Sequence, residues 1–365
     1  MSVTTNNLKT IRFKNQLYKD FSTTLNSRVN EYFKERNLDR YGNWEMVLKT
    51  IFMFSLYLIP YGLVVGGVIQ QVSLLFLMYF VQGVGMAGIG LSIMHDANHG
   101  AYSRSPIVNK ILGYSVNIVG GNSTNWKIQH NVLHHTYTNI AGHDEDVSPK
   151  PILRFSPRSQ KLPIHRFQYI YAWFMYGLMT ILWVTIKDFR QLVDYTKSGM
   201  LKKQTGVTRA WIWLFVTKLF YYAYTLVIPM MVLPFAWWQI VLSFLLMHYV
   251  AGFILGIIFQ PAHVMEANEF PMPTEDGTIE NNWAVHQLQT TCNFAHKNRI
   301  FSWYVGGLNY QIEHHLFPNI CHVHYRKLSA IVEKTATEYE IPYKSIRSFR
   351  EALVLHGRML YTLGH

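Results

Sequence analysis

The sequence predicts an all-α integral membrane protein, with four transmembrane helices in two hairpins and a cytoplasmic helical cap holding a di-metal site. Three observations predict it. Half of the 365 residues are hydrophobic and only 15% are charged, too apolar for an ordinary soluble protein yet with polar ends. Five apolar stretches approach the ~20 residues that a helix needs to cross a bilayer core. Three histidine clusters follow the second and the fifth of these stretches.

The apolar stretches cover residues 47–69, 72–94, 169–186, 211–232 and 235–258. If the three clusters form one site, all of them lie on one side of the membrane. Two crossings return the chain to its starting side before the first cluster. An odd number of crossings afterwards would strand the third cluster on the far side, so one later stretch does not cross. The stretch 169–186 is the shortest, and Lys187, Arg190, Lys197, Lys202, Lys203 and Arg209 follow it. Such basic segments stay in the cytoplasm. This stretch is therefore expected in the interface, where tyrosine and tryptophan are at home.

The N-terminal segment 1–45 is basic too, with Lys9, Arg12, Lys14, Arg28, Lys34, Arg36 and Arg40, and its polar, mixed-charge start is not expected to be a cleaved signal peptide. The turns near 70–71 and 233–234 carry no charge. Both termini and the site are thus expected in the cytoplasm. The chain divides into the segment 1–45, a membrane domain 46–345 and a C-terminal tail 346–365. A net charge of +12 suits an anionic membrane face or an acidic protein partner, and the apolar runs put the lipid bilayer ahead of nucleic acid, which is not an expected partner. Cys292 and Cys321 read as reduced structural thiols.

The first cluster is HDANH, with His95 and His99 four apart and so on one helix face. The second is HNVLHH, in which His130 and His134 repeat that spacing and His135 adds a ligand at another angle. The third is QIEHH, with Gln311, His314 and His315. Seven imidazoles exceed the four ligands of a closed zinc site and imply two metals. Imidazole suits iron, zinc, copper and nickel alike. No paired Glu-x-x-His motifs occur, so a di-metal centre here is nearly all nitrogen-ligated.

HDANH, HNVLHH and QIEHHLFP resemble the three histidine boxes of membrane fatty-acid desaturases. Gln311 stands where many of these carry histidine, a feature of the front-end and linoleoyl-CoA-type branch. HHTYTNIAGHDED, FQPAHV and WAVHQLQTTCNFA are similar to further family stretches, and the resemblance spans residues 41–343. It implies an O₂-dependent fatty-acyl desaturase with two Fe ions, acting on an acyl-CoA or acyl-lipid. The resemblance makes His95, His99, His130, His134, His135, His314 and His315 metal ligands. His263 of FQPAHV is implied as a further ligand, and His286 and Gln311 stand as additional ones. The group His143, Asp144, Glu145 and Asp146 is expected behind the ligands. No HPGG haem motif occurs, so electrons are expected from a separate ferredoxin or cytochrome b5 with its reductase. Two rivals remain: a fatty-acyl or lipid hydroxylase on the same scaffold, and a membrane metal transporter. A transporter would place its ligands near the middle of its spans, where only His248 lies.

Overall fold

In the computed structural model, residues 11–147 and 152–365 are described. The first ten residues of the N-terminal segment, Lys9 among them, lie outside that range. The chain enters through a two-residue strand β1 (Arg12–Phe13) and a helix α1 (Lys19–Glu35). Phe21, Leu25, Val29 and Phe33 recur every four residues and form its buried face. Asp20 in the first turn and Lys34 in the last complement the helix dipole.

Among the described residues, four helices are long and apolar enough to cross a membrane: α2 (Trp44–Val65), α3 (Val72–Asn98), and the later Val207–Val232 and Trp237–His263, with mean hydropathies of 1.7, 1.8, 1.4 and 2.2. The Asn43 side chain caps α2 by accepting from the Glu45 amide. Gly66 and Gly67 end it four residues before the expected limit of 69, and Gly67 takes the positive φ of 71° that a side chain would resist. Whole faces of these helices stay bare within the chain. Ile51 and Ile59 on α2, and Ile212, Phe215 and Leu219 on the third span, are all exposed. Apolar faces of this size need a lipid solvent.

The inner faces pack closely. α3 lies against both α2 and the fourth span, and glycine makes both approaches possible. A Cβ on Gly83 would come 2.6 Å from the Met247 carbonyl oxygen, and one on Gly85 would come 2.8 Å from the Tyr57 nitrogen. Small residues set such distances in membranes, where no hydrophobic drive separates helix from lipid. His248 sits inside the fourth span and is satisfied there: its Nε2 is 2.7 Å from the Tyr221 hydroxyl and its Nδ1 3.1 Å from Thr180 Oγ1.

Between the second and third spans come α4 (Pro106–Gly113), the second-cluster segment, then α5 (Gln168–Gly177) and α6 (Asp188–Lys197). The stretch expected at 169–186 is no straight rod, for the helical pair Pro163–Gly177 and Met179–Lys197 bends by 62° at its break. The third and fourth spans are α7 (Val207–Val232) and α8 (Trp237–His263). α8 continues five residues past the expected limit of 258, through Pro261, because Pro261, Ala262 and His263 are packed and buried.

The remaining chain forms α9 (Trp283–Thr290), α10 (Gln311–Leu316), α11 (Tyr325–Glu338) and α12 (Phe349–Gly364). Residues after 346 thus form a helix whose Ala352, His356, Met359 and Leu360 are buried. β1 pairs in parallel with β2 (Thr278–Ile279), and β3 (Asn293–Phe294) with β4 (Ser345–Ile346). These two ties close distant parts of the chain around the histidines.

Candidate metal centre

Each cluster is delivered by a different local device. A π turn at Ile89–Ile93 precedes HDANH on α3. Such insertions re-aim the side chains that follow and gather at functional sites. The second cluster is itself π-helical, over Lys127–His134, between short α turns Ser123–Trp126 and His135–Tyr137. Trp126 lies against it, with its ring 4.5 Å from that of His130 and 5.6 Å from those of His95 and His99. α10 carries the third cluster, and its buried Glu313 accepts from Asn293 Nδ2 (2.8 Å) and the Tyr343 hydroxyl (2.9 Å). Burial lifts that carboxyl to about 7 against these two hydrogen bonds.

The three devices converge on two groups of nitrogens. His95, His99, His130 and His314 each offer a ring nitrogen within 4.8 Å of the others, and so do His134, His263 and His315. His135 joins the groups: it meets His314 and His315 within the same span, and its Nε2 is 3.3 Å from that of His130. His130 and His134 stack at 5.2 Å; His130 falls in the first group and His134 in the second, and with Asp146 the two also lie within reach of one another. The Nε2 atoms of His95 and His130 are 3.1 Å apart, the spacing expected of two imidazoles each ~2.1 Å from one ion.

The residues fit a metal on two further counts. The Nε2 atoms of His99, His263, His314 and His315 are buried with no hydrogen-bond partner. Each such atom costs about 1–3 kcal/mol unless something binds it. His130, His135, His314 and His315 are also held well below the usual imidazole value, first by burial and then by one another's charge. They are neutral at pH 7, the form in which imidazole ligates.

Behind the nitrogens stand acceptors that fix ring orientation. Asp144, wholly buried, takes His134 Nδ1 at 3.1 Å while also accepting the amides of Asn139 and Asp146 at 2.9 Å. Burial opposes a charged His134, but the Asp144 charge and hydrogen bond, with Asp146 beyond, hold its value up at about 9. The expected role of the His143–Asp146 stretch thus falls mainly on Asp144. Gln287 Oε1 accepts from His315 Nδ1 and from Thr138 Oγ1, both at 2.9 Å. The Tyr325 hydroxyl meets His314 Nδ1 at 3.2 Å. Asn139, in a left-handed conformation (φ 59°), reaches the carbonyls of His263 and Glu269 at 3.1 Å and so ties the second cluster to the end of α8.

The structure therefore brings together eight of the ten residues singled out in the sequence. Gln311 lies at the edge of the group, buried, with its side chain facing His263 and its Nε2 unpartnered. His286 stands apart: it shares none of the ligand groups and packs edge-on against Phe13 at 5.1 Å. Successive helix residues point about 100° apart, so α9 turns Gln287 toward the site and His286 away. Gln287, Tyr325 and Asp96 carried no signal in the sequence beyond their places beside the clusters.

A profile of the fatty acid desaturase family matches residues 70–347. The sn-1 linoleoyl-lipid 6-desaturase of a Synechocystis species is 35% identical over 97% of this chain and 98% of its own length. The protein of that name from Arthrospira platensis is 36% identical over 91% of this chain and 89% of its own. An acyl-lipid (8-3)-desaturase of Physcomitrium patens is 32% identical over 97% of this chain and 74% of its own.

Proposed function

The chain belongs to the fatty acid desaturase family of membrane oxidoreductases, and from that premise we propose that it desaturates acyl chains carried by membrane lipids, at a histidine-ligated two-iron centre. The observation that carries the reading is the pair of adjoining nitrogen groups, His95, His99, His130 and His314 beside His134, His263 and His315, with His135 between them. Iron in both groups would supply the oxidising power, with O₂, that an unactivated C–H bond requires and no side chain provides. One hydrogen is taken from each of two neighbouring carbons, and these two hydrogens leave with O₂, two external electrons and two protons as two waters. The histidines hold the metals, Asp144 and Gln287 orient them, and burial keeps bulk water out. The acyl-lipid names of the relatives favour a lipid-linked chain over a CoA ester.

The test is expression in a host of defined lipid composition, followed by analysis of its lipid classes with double-bond location. A new double bond in lipid-linked chains, sought first at carbon six, is expected. A hydroxylated product, or product confined to the CoA pool, would overturn the reading. Purified enzyme is expected to turn over only with a reductase and a ferredoxin or cytochrome b5, more slowly as salt screens the basic face.

The same reading places two helical hairpins in the bilayer and the cap in the cytoplasm. Exposed Ile107 and Ile111 on α4, and exposed Phe167, Ile170 and Phe174 on the bent pair, then lie in the interface. Cysteine labelling checks this, since both native cysteines are buried. Lys202→Cys is expected to react from the cytoplasmic side, and labelling only from outside would refute the arrangement.

A further inference from the structure

Asp96 separates the histidines of HDANH, and its carboxylate is held by a buried chain of side chains that neither metal group uses. His322, on the turn after the third cluster, donates twice to Asp96 Oδ2, from its backbone N–H at 3.1 Å and from Nδ1 at 2.8 Å. That leaves His322 Nε2 as an acceptor, and Lys49 Nζ reaches it at 2.5 Å. Lys49 belongs to α2, is 1% exposed, and lies over the Trp303 ring at 5.3 Å. A lysine buried in a span is costly unless it is partnered, and here its charge is answered by Asp96 through His322.

On its other side, Asp96 Oδ1 lies 3.7 Å from His95 Nδ1. That nitrogen has no hydrogen-bond partner, while the Nε2 of the same ring faces His130. If Nε2 is the ligating atom, the proton sits on Nδ1, and it needs an acceptor there. The Asp96 carboxylate is the acceptor beside it, 3.7 Å away and a small shift from hydrogen-bond contact.

We propose that Lys49 and His322 are positioning residues for the first metal group: they fix the Asp96 carboxylate beside His95 Nδ1, and so fix the tautomer and ring of that ligand. The inference rests on the two-iron reading above. The second group has its own acceptor in Asp144, so a defect in the Lys49–His322–Asp96 chain is confined to the first group.

The full-length protein, loaded anaerobically with Fe(II) and gel-filtered, gives iron per chain, and the melting temperature of the metal-free form is read beside it. Wild type is expected to keep two irons. Lys49→Met, His322→Leu and the isosteric Asp96→Asn are each expected to keep about one, with the lost iron bound ~10–100-fold more weakly and the metal-free melting temperature little changed. His322→Gln can still donate to Asp96 and accept from Lys49, and is expected to keep close to two. Two tightly held irons in both Asp96→Asn and His322→Leu would overturn the proposal. So would loss of both irons with a lowered metal-free melting temperature, which marks a role in the fold at large. A wild-type protein holding one iron or none would instead sink the two-iron reading itself.

Discussion

Replacing His314 by alanine is expected to abolish desaturation and to release iron from both groups at once. His314 offers a ring nitrogen to the first group, with His95, His99 and His130, and it also lies within reach of His135, which joins the groups, and of His315 of the second. Its Nε2 has no other partner, and its Nδ1 is set by Tyr325. Loss of an outer acceptor typically costs ~10–100-fold in affinity or activity, and loss of a shared ligand should exceed that. His99→Ala is the internal comparison, because His99 belongs to the first group alone. It is expected to empty one position and spare the other. Product formed from lipid-linked chains and iron per chain, both measured on folded protein, decide the matter. If His314→Ala kept two irons and half its activity, the convergence of the three clusters on one centre would be wrong.

Much of this centre could be read from spacing alone, because the chemistry demands it. Histidines four apart share a helix face, and the pairs His95/His99 and His130/His134 come to the site as that rule predicts. The rule does not say which group each residue joins. His130 and His134 lie on a π-helical segment at the place where the two groups meet, a matter of tertiary packing. The four long apolar helices were equally legible, since lipid must face an unbroken apolar surface. Their ends were not. Gly67 stops α2 early by its backbone conformation, and α8 runs on to His263 because its last turn is buried. His286 and Gln287 show the limit most plainly. The sequence offers His286 only as a lesser ligand candidate and gives Gln287 no role, and it is the rotation of α9 that turns the glutamine toward His315. Likewise, no local pattern announced that Lys49, His322 and Asp96, far apart in the chain, would meet.

Gln311→Ala is expected to lose most activity while the protein keeps its fold and the iron of its first group. The first group has four histidine nitrogens within reach of one another, whereas the second has three, in His134, His263 and His315. Gln311 begins α10 three residues before His314, and it faces His263, on the side of the poorer group. It is 1% exposed, and its Nε2 finds no hydrogen-bond partner. A buried amide left unsatisfied costs about 1–3 kcal/mol, so packing alone is a poor reason for glutamine here. An amide oxygen is a harder and weaker donor than imidazole. Used as a ligand, or as the holder of a ligand water, it leaves the second position more open than the first, and openness is what O₂ needs. Alanine removes that donor without disturbing Asp144, Gln287 or the first group, so the expected loss is ~10–100-fold in rate with the metal-free melting temperature held. Gln311→His restores a nitrogen donor and is expected to keep both irons with part of the activity, since the second position is then more fully occupied. Product formation beside iron content separates the cases. Normal turnover in Gln311→Ala would mean that this side chain only fills space, and that the openness of the second group comes from elsewhere.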